Sequence, residues 1–299
     1  MADVTSVPGY FSTSLLSDSK DLAHSVKVFG DKIQLAKRKR MLSIKRRRLD
    51  QDFERYQVKL NGKYLKGFFT DASYVLSSPL RWDSSEWATA SFIAGGTGLF
   101  FLLDDEIQSE VQGKRSSTTD DISEIFEHFG NGTLTLPTIA GFYLYGRFSE
   151  RKKVARTALL AAESFILTGL FATVIKSGVG RHRPYKDNNS RIFDGFSTNN
   201  SSFPSGHTAT AFAIATVVAK EYEDVPLMVP FSYSVATLAG LSRINDNQHW
   251  ASDVFFGATL GYLISKTILR LHSYKKGRHF TIYPRVNQKG GGLVLSSRF

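Results

Sequence analysis

Phe203-Pro-Ser-Gly-His-Thr-Ala-Thr-Ala-Phe212 reads as a turn opening into an apolar helix that runs on through Ala213-Ile214-Ala215. Ser205 is a natural N-cap, and Pro204 and Gly206 mark the bend before the helix. A helix start leaves backbone N–H groups unpaired and carries partial positive charge. It can therefore hold a phosphate. His207 lies at that same end.

Two further stretches carry chemistry. In Ser242-Arg-Ile-Asn-Asp-Asn-Gln-His249-Trp-Ala-Ser-Asp253, His249 stands four residues before Asp253. On a helix this spacing predicts both on one face. The carboxylate would then hold one imidazole nitrogen and leave the other free. Upstream, Lys176-Ser-Gly-Val-Gly-Arg-His-Arg183-Pro184 supplies fixed cations. A histidine with an orienting acid, a second histidine and a set of cations are the parts of a phosphoryl-transfer site.

In this order, Lys-x6-Arg-Pro, Pro-Ser-Gly-His and Ser-Arg-x5-His-x3-Asp resemble the signature of the type 2 phosphatidic acid phosphatase (PAP2) superfamily. The resemblance covers roughly residues 88–272. It implies that His249 is the nucleophile, forming a phosphohistidine, and that Asp253 fixes its tautomer. It implies His207 as general acid for the leaving oxygen and then base for water. Lys176, Arg183 and Arg243 would hold the equatorial phosphoryl oxygens, with Ser205 and the Gly206 amide adding uncharged donors. A side chain at Gly206 is expected to block close backbone approach. No metal and no other cofactor is implied. Activity is expected to survive chelation, to be blocked by vanadate and to follow a bell-shaped pH profile. His182 matches no required position and reads as a bystander. His24, His128, His272 and His279 have no partner that the sequence names. Trp250, Phe203 and Tyr185 read as core or interface residues sooner than as the pocket mouth.

Composition narrows the setting. The 299 residues carry a net charge of +11 and no cysteine, which excludes disulfides and thiolate metal sites. A pI near 9.7 points to an anionic partner, nucleic acid or an anionic lipid surface. No nucleic-acid recognition motif accompanies the charges, so nucleic acid is set aside. The mean hydropathy of −0.17 is low for a transmembrane protein, but it averages polar ends with an apolar middle. The first residues lack the basic and apolar regions of a cleavable signal, so an uncleaved internal segment is expected to direct membrane entry.

Residues 1–26 read as a loose polar arm. Residues 27–59 hold Lys37-Arg-Lys-Arg40 and Lys45-Arg-Arg-Arg48, either a solvated helix face or a juxtamembrane basic segment. Leu65, Phe68, Phe69, Ala72, Val75 and Leu76 share one helical face, ended by Ser77-Ser78-Pro79. With Trp82 and Trp87 following, this helix suits a membrane interface or a packed soluble helix. About six apolar segments come next, near 88–103, 134–148, 157–175, 207–219, 227–241 and 254–269.

Charge assigns the sides. Residues 104–127 read as an acidic loop, whereas Arg147, Arg151, Lys152, Lys153, Arg156, Arg270, Lys275, Lys276 and Arg278 are basic. If the basic stretches face the cytoplasm, the 104–133, 176–206 and 242–253 loops fall outside, and all three motifs land there. The expected fold is all-α: a membrane-embedded bundle of about six helices with an amphipathic N-terminal helix. Residues 280–299, two β-prone runs around a Gly cluster, predict a C-terminal β-hairpin. The divisions expected are a basic arm with interfacial helix (1–87), a catalytic bundle (88–272) and a tail (273–299). The function expected is a metal-independent phosphatase of the cell (inner) membrane, acting on a lipid phosphate or polyprenyl diphosphate. Other readings are a soluble acid phosphatase or vanadium-dependent haloperoxidase with the same motifs. A non-catalytic membrane protein that binds anionic lipid is a third.

Overall fold

The computed structural model describes residue 34, residues 60–196 and 202–273, and the backbone of 280–287 and 290–297. The basic clusters at 37–40 and 45–48, the first 26 residues, His24 and His279 lie outside the described residues. The chain divides between Arg55 and Tyr56, and the helical bundle lies wholly in the second unit.

Helix α1, Gly62–Leu76, starts where the Asn61 side chain accepts from the Tyr64 amide at 2.9 Å. Its apolar stripe divides. Phe68, Ala72 and Val75 pack onto the bundle core, while Leu65, Phe69 and Leu76 point outward. A short 3₁₀ turn at Ser78–Arg81 follows, and Trp82 and Trp87 meet edge to face. Helix α2, Ser84–Gly113, opens on an Asp83–Glu86 capping box.

The expected acidic loop needs correction, because residues 104–127 are not a loop. Helix α2 continues through Asp104, Asp105, Glu106 and Glu110, and after a brief break Ser116 caps helix α3, Ser117–Glu127. The reason is that Asp104 points inward to buried partners, so the helix has cause to continue past the apolar run. The acidic count alone hid that one carboxylate from the others.

Helix α4, Gly132–Phe148, and helix α5, Lys152–Val179, form an antiparallel pair. Helices α6 (Gly206–Glu221), α7 (Met228–Asn245) and α8 (Ala251–Leu271) complete the six apolar segments. Three helices, α2, α5 and α8, are long and apolar enough to cross a membrane. The most apolar part of α2 buries nothing inside the protein. Phe92, Leu99 and Leu102 lie exposed on it. In water such a face would be a heavy liability, and in lipid it costs nothing. The protein is a multi-pass membrane protein.

Helix α6 packs against α5, α7 and α8. Leu160, Leu167, Val217, Ile264 and Ile268 fill one core cluster, and Ala211, Ala215, Ala236 and Ala239 a second. The α6–α8 contact depends on glycine. A Cβ on Gly257 would stand 2.6 Å from the Ser205 carbonyl oxygen, and one on Gly261 would overlap the Ala209 carbonyl. Small residues let the two backbones touch, which sets the starts of α6 and α8 side by side.

Beyond the bundle, β1 (Phe280–Asn287) and β2 (Gly290–Ser297) pair antiparallel, from Phe280 with Ser297 to Asn287 with Gly290. The register leaves two residues between the strands, a usual hairpin length.

Candidate active site

One end of the bundle gathers the C-terminal ends of α5 and α7, the N-terminal ends of α6 and α8, and the segment between α5 and α6. Helix α5 stops at Gly180, in the left-handed region (φ 60°), where any Cβ would overlap the Gly195 carbonyl. The chain then turns across the end of the bundle.

Arg181 organises what lies behind the site. Its guanidinium is 1% exposed. Nη1 donates to Asp253 Oδ1 and to Ser252 Oγ, each at 2.7 Å. Nη2 donates to Asp104 Oδ2 at 2.7 Å and to the Ser190 carbonyl at 2.8 Å. Phe101, Phe193 and Trp250 surround the cation with their rings. One planar fork thereby joins two carboxylates on two helices, which a lysine could not do. Asp104 is fixed further by the Ser252 amide at 2.9 Å and the Ser252 hydroxyl at 2.5 Å.

Asp253 presents its other oxygen forward. Oδ2 accepts from Ser202 Oγ at 2.5 Å and from the Trp250 amide at 2.9 Å. His249 Nδ1 is 3.6 Å from it. The spacing of the two residues predicted one helical face, and this needs correction. Trp250 is the N-cap of α8, so His249 stands before the helix and Asp253 in its first turn. The pair meets across the helix start. Its separation exceeds a hydrogen bond, and Nδ1 has no hydrogen-bond partner among the described residues. Burial drives the His249 ring toward its neutral form, pulling its pKa down to about 3. Asp253 opposes that shift, and the charges of Lys176 and Arg183 reinforce it.

The cations assemble around this ring. Lys176 Nζ donates to the Ser202 carbonyl at 3.4 Å, and Arg183 Nη1 to Gln248 Oε1 at 2.7 Å. Arg243 Nη1 donates to Glu127 Oε2 at 2.5 Å and lies 3.2 Å from Asp246. The buried Arg243 Nε has no partner among the described residues. His207, in the first turn of α6 and partly buried, has its pKa pulled down to about 4, first by burial and then by the charge of Arg243; Glu127 opposes the shift, and Lys176 and Arg183 add to it. Ser205 caps α6, and its hydroxyl accepts from Thr208 Oγ1 at 2.8 Å. The Ser205 amide donates to the Asp253 carbonyl at 3.0 Å, locking the two helix starts together.

Gly206 opens α6 beside the Lys176 stem. A Cβ there would meet only Lys176 Cε, at an ordinary 3.6 Å, so the protein itself does not forbid a side chain. Its methyl would fill the space between the helix start and the Lys176 stem. His182, read from the sequence as a bystander to the chemistry, makes structural contacts. Nδ1 contacts Asp187, and Nε2 lies 3.0 Å from Asp194, tying together the chain after α5. Both carboxylates raise its pKa. Trp250 is buried, its Nε1 donating to the His182 carbonyl at 2.9 Å, and Phe203 packs on Phe256. Tyr185 is exposed.

Sequence reasoning missed Arg181, Asp104, Ser202, Ser252, Glu127 and Gln248. Arg181 lies inside the quoted Lys176–Pro184 block and could have been weighed as a second cation. Nothing local singles out Asp104. Beside the site an apolar groove of about 670 Å³ runs between α4, α5, α6 and α7, from His128 and Phe129 to Tyr222 and Met228.

These features define a helical membrane protein with a cation-lined site at one end of its bundle. Residues 157–276 match the PAP2 superfamily, a stretch similar to that family's domain. A lipid A 1-phosphatase of Porphyromonas gingivalis is 38% identical over 123 residues, which are 41% of this chain but only 25% of that protein. A lipid A 1-phosphatase of Rhizobium etli is 27% identical over 203 residues, 61% of this chain and 82% of that protein. Among solved structures, the transmembrane PAP2-type phosphatidylglycerolphosphate phosphatase of Bacillus subtilis aligns with a TM-score of 0.48 at 24% identity. It covers 61% of this chain and 98% of that one.

Proposed function

We propose that this protein is a membrane phosphatase that cleaves a lipid phosphate or polyprenyl diphosphate through a phosphohistidine on His249, without a metal. The observation that carries the reading is the state of His249. The ring is buried, neutral and backed by Asp253 on its Nδ1 side. With the proton on Nδ1, the lone pair on Nε2 is the nucleophile.

Nε2 attacks phosphorus in line, the bond to the leaving oxygen breaks, and His207 donates a proton to that oxygen. His207 then takes a proton from water, which attacks the phosphohistidine, and the P–N bond breaks to release phosphate. Lys176, Arg183 and Arg243 offset charge on the equatorial oxygens, with the Gly206 amide and the Ser205 hydroxyl as neutral donors. The space beside Gly206 is where an oxygen would approach the helix start.

The named relatives act on lipid A, which supports a lipid phosphate, and lipid A phosphate belongs among the candidates. The apolar groove suits an acyl or prenyl chain whose phosphate lies near His207. Arg147, Arg151, Lys152, Lys153 and Arg270 gather at the bundle end away from the site. By the positive-inside rule this distribution supports a site on the extracytoplasmic face, as expected for a protein of the cell (inner) membrane.

The test is phosphate release by detergent-solubilised protein from phosphatidic acid, phosphatidylglycerophosphate, a polyprenyl diphosphate and lipid A. Wild type should release phosphate from at least one, and His249→Ala from none. Equal release by both proteins would refute the reading.

A further inference from the structure

A second cluster of ionisable groups lies away from the site. Asp71 on α1, Glu163 in the middle of α5 and His272 at the C-cap of α8 each offer one ligand atom, all within 4.8 Å of one another. His272 Nε2 is 3.0 Å from Asp71 Oδ2 and 3.1 Å from Glu163 Oε2. Along α5, Glu163 stands about 20 Å from Lys176 at a rise of 1.5 Å per residue.

Among the described residues the cluster sets two carboxylates against one imidazole. Tyr64 Oη donates to Glu163 Oε2 at 2.6 Å, and the single Nε2 hydrogen faces two carboxylates. Glu163 is 2% exposed, and its Oε1 is buried with no hydrogen-bond partner among the described residues. Arg156 is nearby, but it bonds Glu221 and the His272 carbonyl. An under-satisfied carboxylate inside an apolar helix is expensive and marks a site with a task.

We propose that Asp71, Glu163 and His272 bind one divalent transition-metal cation, Zn²⁺ or Mn²⁺ in class. Two ligands about 2.1 Å from one ion lie about 3.0–3.4 Å apart in octahedral or tetrahedral geometry. The separations of 3.0 and 3.1 Å from His272 Nε2 to the two carboxylates need little adjustment. A dication balances two carboxylates and a neutral imidazole, and it offsets the cost of burying the Glu163 carboxylate. Tyr64 holds a ligating carboxylate from outside. His272 and Asp71 are part-exposed, which gives the ion a way in. The bound ion joins three elements and clamps α1 to the bundle, far from the phosphate site.

The experiment uses untagged full-length protein in detergent, stripped with chelator and desalted, then titrated with Mn²⁺ alone or Zn²⁺ alone. One ion per chain should bind, the melting temperature should rise, and Mn²⁺ resonance should show coupling to one histidine nitrogen. Asp71→Asn and His272→Gln should weaken binding by about tenfold or more, while His249→Ala keeps it. Failure of wild type to bind either ion below millimolar concentration overturns the proposal, as does binding that Asp71→Asn retains or that lacks nitrogen coupling. The wild-type titration and resonance decide even if a variant misfolds.

Discussion

Arg181 donates to Asp253 at 2.7 Å in a place closed to solvent on both sides, 1% exposed for the guanidinium and 0% for the carboxylate. The same fork holds Asp104. Asp253 is thereby fixed before it meets His249, so its orientation does not rest on the 3.6 Å separation from that ring. Arg181→Met leaves two buried carboxylates without their cation and should cost about 3–5 kcal/mol of stability. Arg181→Lys should keep the charge, lose the bridge and lower kcat far more than it raises KM. Thermal melts in detergent and steady-state kinetics check both.

Arg243 is held by Glu127 and Asp246 rather than standing open. Removing its charged hydrogen bonds to a phosphoryl group should cost about 1.5–3 kcal/mol. Arg243→Ala should therefore lower kcat/KM by about tenfold or more. Glu127→Gln removes a competing anion and should tighten inhibition by inorganic phosphate. Weaker inhibition would mean that Glu127 serves to aim Arg243.

The α6–α8 contact gives a prediction on stability. Gly261→Ala drives a methyl into the Ala209 carbonyl and should cost about 1–3 kcal/mol, separating the two helix starts and reducing activity with it. Gly141→Ala, where a Cβ meets nothing within 4 Å, should leave melting and rate unchanged.

Acid should act through the buried imidazole. Its pKa is about 3 in the fold, against an ordinary 6.5. Between these values the unfolded chain binds the proton and the folded chain does not. Stability from this group is therefore complete above pH 6.5 and declines as pH falls toward 3. Neutral His249 stays available as nucleophile through that window, so the acid limb of kcat/KM should lie well below 6.5. The basic limb should follow loss of the proton from His207, whose pKa burial and the Arg243 charge pull down to about 4, so the optimum should lie on the acid side of neutrality. An acid limb centred near 6.5 in wild type would contradict the burial argument.

Chelator separates the two ends of the bundle. EDTA should leave the initial rate unchanged well below the melting temperature while lowering that temperature. Orthovanadate should inhibit by occupying the phosphoryl position. Reversible loss of the initial rate in EDTA would place a metal in the chemistry.

Much of this was readable in the chain. The six apolar runs became six helices because each is bounded by a cap or turn that local chemistry sets, as Asp83 and Ser205 illustrate. The motif residues meet because α5 and α7 end where α6 and α8 begin. What stayed hidden depends on partners distant in sequence. Asp104 looked like one acid among many until Arg181, 77 residues later, reached it. Asp71 and His272 are 201 residues apart, and no periodicity links them. Nothing local singles out Gly257 and Gly261, and only the proximity of α6 reveals their use.

The most direct test of the central claim is a rapid acid-free quench of enzyme mixed with ³²P-labelled lipid phosphate, followed by mapping of the labelled peptide. Label should be acid-labile, base-stable and confined to His249, and His249→Ala should carry none. Label on another residue, or turnover by His249→Ala, would contradict the account.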